Sequence, residues 1–190
     1  MTRKIYFSPL LLTAALIAAQ PAAAQNNAKI AEAETLIDYP GFHKLSAEVM
    51  SYRDDRLIKL DEFKMRAAKA DTLILDTRSA SAFAMGHIDG AINLPFSDFT
   101  EGKLAEIIGE NTDREILIYC NNNFRDNIRP VLTKAPALAL NIPTFINLYG
   151  YGYRNIYELH GTYSIGEPEV NWIETGYGPQ AAYAPQILRK

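Results

Sequence analysis

The chain has 190 residues, 48% hydrophobic and 22% charged, with a formal net charge of −3 and one cysteine. That length suits one ordinary domain with some decoration. The mild acidity, with Lys and Arg scattered and no basic run, argues against nucleic acid or an anionic membrane as partner, and one cysteine excludes an internal disulfide.

Thr2, Arg3 and Lys4 form a short basic start, residues 9 to 19 are largely apolar, and Ala22-Ala23-Ala24 offers an A-x-A cleavage site before Gln25. This pattern predicts a secretory signal peptide over residues 1 to 24, cut after Ala24, and a periplasmic or secreted product. The apolar run is too short for a transmembrane span, and no later stretch is apolar enough to cross a bilayer. Residues 25 to 55 read as an N-terminal arm packed on the domain. Ile30, Ala33, Leu36 and Ile37 have helical spacing, and Asp38-Tyr39-Pro40-Gly41 is expected to stop that helix.

From Arg56 the pattern becomes α/β. Residues 57 to 59 read as a short strand. Asp61 is the expected N-cap of a helix over residues 62 to 70, with Phe63, Ala67 and Ala70 on one side. Residues 72 to 75 predict a buried strand ending at Asp76, residues 79 to 85 a helix, and residues 91 to 93 a brief strand closed by Pro95. Residues 103 to 108 predict a helix ended by Gly109. Ile116-Leu117-Ile118-Tyr119 is an apolar run of the kind buried on both faces of a parallel sheet. Pro130, Pro136 and Pro143 rule out a long helix between Asp126 and Thr144. Residues 144 to 149 predict a helix and residues 155 to 159 the last strand. Strands alternating with helices indicate a parallel sheet covered on both faces.

Cys120 ends the strongest strand and is followed by Asn121, Asn122, Asn123, Phe124, Arg125 and Asp126. Ligands of open α/β sheets bind outside the carboxyl ends of strands, so a lone thiol there is placed for chemistry. In an exported chain a free thiol is at risk of oxidation, and a structural role could be filled by Ala or Ser. The three asparagines tolerate left-handed angles and could curl into an anion-binding nest. Arg125 could favour a thiolate beside it.

Three blocks resemble the rhodanese-like sulfurtransferase domains. The first holds Asp76, Arg78, Phe83, Gly86, His87, Ile88, Gly90, Ala91 and Pro95. The second is Cys120, four residues and Arg125, and the third is NIYELHG (residues 155 to 161) with Trp172 and Gly176. The resemblance covers residues 56 to 178, leaving residues 179 to 190 as a C-terminal tail. It implies a central parallel sheet of about five strands with helices on both faces.

It also implies a persulfide on Cys120, a small sulfur-containing anion as donor and a thiol or cyanide as acceptor. Asn121 to Asp126 would bind the substrate, and no cofactor or metal is needed. Asp76 and Arg78 would form a structural ion pair, and His87 would belong to a structural turn. Asn123 stands where the family has Gly, and Asp126 where it has Ser or Thr. The Asp126 carboxylate would either face the sulfur, and oppose its ionisation, or pair with Arg125 or cap the next turn. Insertions after Asp126 and after Gly161 would lie near the loop.

Two other readings compete with a sulfurtransferase. One is a non-catalytic module that docks a protein or small anion. The other is a Cys-dependent phosphatase, which needs five residues between Cys and Arg where this chain has four.

Overall fold

A computed structural model describes residues 35–174; the expected signal peptide and the C-terminal tail lie outside the described residues. The chain divides into two compact units between Tyr39 and Pro40, and the second holds the sheet and Cys120.

Seven strands and five α-helices are described. Helix α1 spans Tyr39–Asp54, β1 Leu57–Ile58, α2 Leu60–Ala67, β2 Leu73–Asp76, α3 Ala80–Met85, β3 His87–Ile88 and β4 Ala91–Asn93. Then come α4 (Glu101–Ile108), β5 (Ile116–Tyr119), α5 (Asn141–Gly150), β6 (Ile156–Leu159) and β7 (Trp172–Ile173). The five-stranded sheet has the order β1-β6-β5-β2-β4 and is parallel throughout, while β3 and β7 form a separate antiparallel pair. The parallel sheet of about five strands expected from the sequence is present.

Strand alternation divides the core in two. On one face Ile116 and Ile118 of β5 join Leu73, Leu75 and Ile156, against Val49 of α1, Leu104 and Ile108 of α4, and Phe145 and Leu148 of α5. On the other, Leu117 and Tyr119 join Ile74 and Leu159, against Phe63 of α2, Ile88, Phe124 and Val131. All four residues of β5 are fully buried, as an apolar run between two covered faces requires.

Four expectations are corrected. Asp38-Tyr39-Pro40-Gly41 starts a helix instead of stopping one: α1 begins at Tyr39, and proline lacks only an N–H that the first turn leaves unbonded anyway. Pro143 likewise lies in the first turn of α5, which begins at Asn141, three residues before the expected start. Helix α2 runs over Leu60–Ala67 with Lys59 as N-cap, so Asp61 lies inside the first turn, where its charge suits the helix dipole. Helix α4 starts at Glu101 because the Thr100 hydroxyl accepts from Lys103 N–H at 3.3 Å. Gly109 ends it at φ 96°, as expected.

The central strand sets the stability. Leu117→Ala is expected to cost about 2–5 kcal/mol, whereas Leu138→Ala, at an exposed position, should change stability by less than about 0.5 kcal/mol; urea unfolding of both variants measures this.

Candidate active site around Cys120

Strand β5 delivers Cys120 at the carboxyl end of the middle of the sheet, with extended backbone (φ −147°, ψ −174°). Asn121–Asn123 then make one 3-10 turn. Cys120 N–H donates to Asn123 Oδ1 at 2.8 Å, and Asn123 Nδ2 donates to Leu159 O at 2.7 Å, so the buried Asn123 side chain ties the turn to the end of β6. The expected nest of left-handed asparagines does not form. None of Asn121–Asn123 has positive φ; the three make a 3-10 turn instead, closed by Asn123 N–H onto Cys120 O at 3.1 Å.

The sulfur is held differently. Backbone N–H groups of Asn122, Asn141 and Leu140 point at it, the last two from the start of α5. Helix N-termini carry unbonded N–H groups and a partial positive charge, which favour an anion there. Against them stands burial: Cys120 is 0% exposed. Burial outweighs the amides and, with the charge of Glu158, pushes the thiol above its ordinary value.

A strap, the segment from Asp126 to Leu140, is tied to the loop after Cys120. Asn121 Nδ2 donates to Leu132 O at 2.6 Å and Asn122 Nδ2 to Lys134 O at 2.7 Å, while Lys134 N–H returns to Asn122 Oδ1 at 3.1 Å. Val131 anchors the strap in the core. Asn121 and Asn122 therefore spend their side-chain amides on the strap, not on a bound anion.

Arg125 does not face the sulfur. Its guanidinium pairs with Glu167 and donates to Thr162 O at 3.0 Å. Asp126 also turns away: it accepts from Ser164 Oγ at 2.7 Å and Ile165 N–H at 3.0 Å. The Ser164 bond, helped by the Ile165 amide and the Arg125 charge, holds its carboxyl below the usual range. Asp126 takes none of the orientations expected from the sequence; its carboxylate secures the segment after Gly161 instead. Phe124 is a core side chain, edge-on to Tyr119 and Trp172 at ring separations of 6.0 and 5.1 Å.

Behind the loop, Asp76 and Arg78 form a fully buried pair, with Arg78 Nε 3.0 Å from both carboxylate oxygens. Tyr119 hydroxyl donates to Asp76 Oδ2 at 2.6 Å and accepts from Ile88 N–H at 3.1 Å. Burial and the Asp76 charge keep that phenol protonated well past its ordinary range. Arg78 also donates to Gly86 O at 2.8 Å and lies over the Trp172 ring. A Cβ on Gly86 would fall 2.6 Å from Trp172 Nε1, so only glycine fits. His87 stacks on Phe83, with Nδ1 2.9 Å from Phe83 O.

Leu140, Asn141, Glu158 and Arg53 were not among the expected site residues. Asn141 ahead of Pro143 could have been read as a helix start, and Glu158 as a lone acid within an apolar strand.

The family model for the rhodanese-like domain matches residues 59–164, more than half of the chain. A tRNA uridine(34) hydroxylase of Photorhabdus laumondii is 27% identical over 106 residues, covering 55% of this chain and 26% of the hydroxylase. An HTH-type transcriptional regulator of Mycobacterium tuberculosis is 33% identical over 79 residues, 42% of this chain and 33% of the regulator. The chain thus matches well under half the length of either curated relative. Among solved structures, the rhodanese-like domain of an Anabaena protein aligns with a TM-score of 0.43 at 17% identity, over 71% of this chain and 92% of that one.

The buried thiol has a pH signature. Its folded pKa lies above the ordinary 9.0, so the unfolded chain loses its proton first as pH rises. Relative to Cys120→Ala, wild type should be unchanged below about pH 8 and lose stability from there up through the folded pKa. Urea midpoints from pH 6 to 10 check this.

Proposed function

Because the chain belongs to the rhodanese-like domain family, we propose that it moves sulfane sulfur through a persulfide on Cys120. The observation that carries this reading is the convergence of the Asn122, Leu140 and Asn141 amides on one sulfur at the carboxyl end of the central strand. Such a cradle favours an anion once a donor is present, as the amides of an oxyanion hole do. The Cys120 thiolate attacks the outer sulfur of thiosulfate or a polysulfide. An S–S bond forms, sulfite or the shortened polysulfide leaves with the electron pair, and Cys120 keeps an anionic persulfide. An acceptor thiolate or cyanide then takes the outer sulfur and returns the thiolate. The residues packed around Cys120 must shift for a donor to enter, since it is fully buried.

A second reading has its own support. Burial of Cys120 and the engagement of Arg125 with Glu167 suit a module that binds a partner without chemistry. A role on tRNA, suggested by the relatives' names, fits poorly with a net charge of −3. Phosphatase chemistry is disfavoured by the four-residue spacing from Cys120 to Arg125.

Intact mass after incubation with thiosulfate or inorganic polysulfide decides between the first two. A gain of one sulfur on wild type, absent from Cys120→Ser and reversed by a thiol reductant, is the expected result; an unchanged mass in a folded protein transfers support to the binding module. The proposal includes export, on the strength of the basic and apolar start of the chain. Cell fractionation should find a processed form beginning at Gln25, and a cytoplasmic, full-length product would remove that part.

A further inference from the structure

Glu158 is an acid inside the sheet. It lies on β6 between core neighbours and is 6% exposed. A buried carboxylate persists when it is paired and hydrogen-bonded. Its partner is Arg53, in the last turn of α1 and before residue 59, where the family match begins. Arg53 Nε donates to Oε2 at 2.5 Å and its terminal amine to Oε1 at 2.6 Å, a two-pronged contact.

The contact continues toward the sulfur. Glu158 Oε1 also accepts from Asn141 Nδ2 at 3.2 Å, and the same Nδ2 lies 3.2 Å from Asn123 Oδ1. Asn123 Oδ1 in turn accepts from Cys120 N–H. Asn141 is buried, and its own Oδ1 has no hydrogen-bond partner, so its orientation rests on these two donated bonds. Its backbone N–H is one of the three aimed at the sulfur.

We propose that Arg53 is a positioning residue for Cys120: by gripping Glu158 it fixes Asn141 at the start of α5 and neutralises the buried acid nearest the thiol's hydrogen-bond network. The inference rests on the sulfur-carrier reading, because only a reaction through a thiolate gives this alignment a role in turnover. The electrostatics agree, since Glu158 opposes ionisation of Cys120 and Arg53 is itself held charged by Glu158. Among the other charges on neighbouring elements, Arg125 pairs with Glu167, Asp126 bonds Ser164 and Ile165, Asp76 pairs with Arg78, and Arg56 lies over the Tyr52 and Tyr157 rings. Lys134 of the strap is exposed.

The lone cysteine gives a clean test. The full chain, labelled with 13C at the cysteine Cβ, yields one resonance whose shift follows thiol ionisation with pH. Arg53→Met should raise the midpoint by about one pH unit, and Arg53→Lys, which keeps the charge but loses the fork, should raise it less. Glu158→Gln should lower it. Circular dichroism at each pH confirms the fold. If Arg53→Met does not fold, Arg53→Lys and Glu158→Gln decide, with opposite shifts expected. Unshifted midpoints, or shifts in the same direction for both partners, would overturn the role of Arg53. The titration needs no sulfur donor, so the two readings fail separately. Normal shifts without any persulfide in wild type would sink the carrier reading, and persulfide formation without shifts would sink the Arg53 role.

Discussion

A sulfur atom removed from water needs hydrogen-bond donors before it can carry charge, and the elements around Cys120 are arranged by that need. Strand β5 fixes the sulfur because all four of its residues are locked in the core. Helix α5 meets it end-on with the N–H groups that no helix can bond internally. The Asn123 side chain seals the turn between strand and loop. Each arrangement depends on the parallel sheet, which brings the carboxyl end of β5 beside that of β6 and so places Glu158 and Leu159 within reach of the loop.

Two effects of opposite sign act on the same atom. The amides lower the cost of a thiolate, and burial raises it; burial prevails. The burial that raises the Cys120 pKa also keeps solutes from it, and oxidation of a cysteine follows its thiolate character and exposure. Shielding and a raised pKa therefore share one structural cause, the burial of Cys120.

What the sequence reveals is what is local. The apolar run before Cys120 and the glycine after α4 are read from neighbours a few residues apart, and the structure has them as expected, as it has the Asp76–Arg78 pair that the family resemblance implies. The site's outer parts were hidden because their partners are remote: Glu167 lies 42 positions from Arg125, and Arg53 lies 105 from Glu158. Nothing near Arg125 in the chain shows that its charge is already engaged. The prolines misled for another reason. Pro40 and Pro143 break a helix interior but suit a first turn, and which applies depends on where the helix begins.

The ends of the sheet carry a consequence for how the chain behaves among its own copies. The three inner strands have four residues each, but the edges are the two-residue β1 and the three-residue β4. Pro95 follows β4 closely and can donate no ladder bond. A second chain laid along either edge would find room for very few bonds before the strand gives out. Growth of the sheet from molecule to molecule, the usual route by which exposed strands lead to aggregation, is therefore poorly templated.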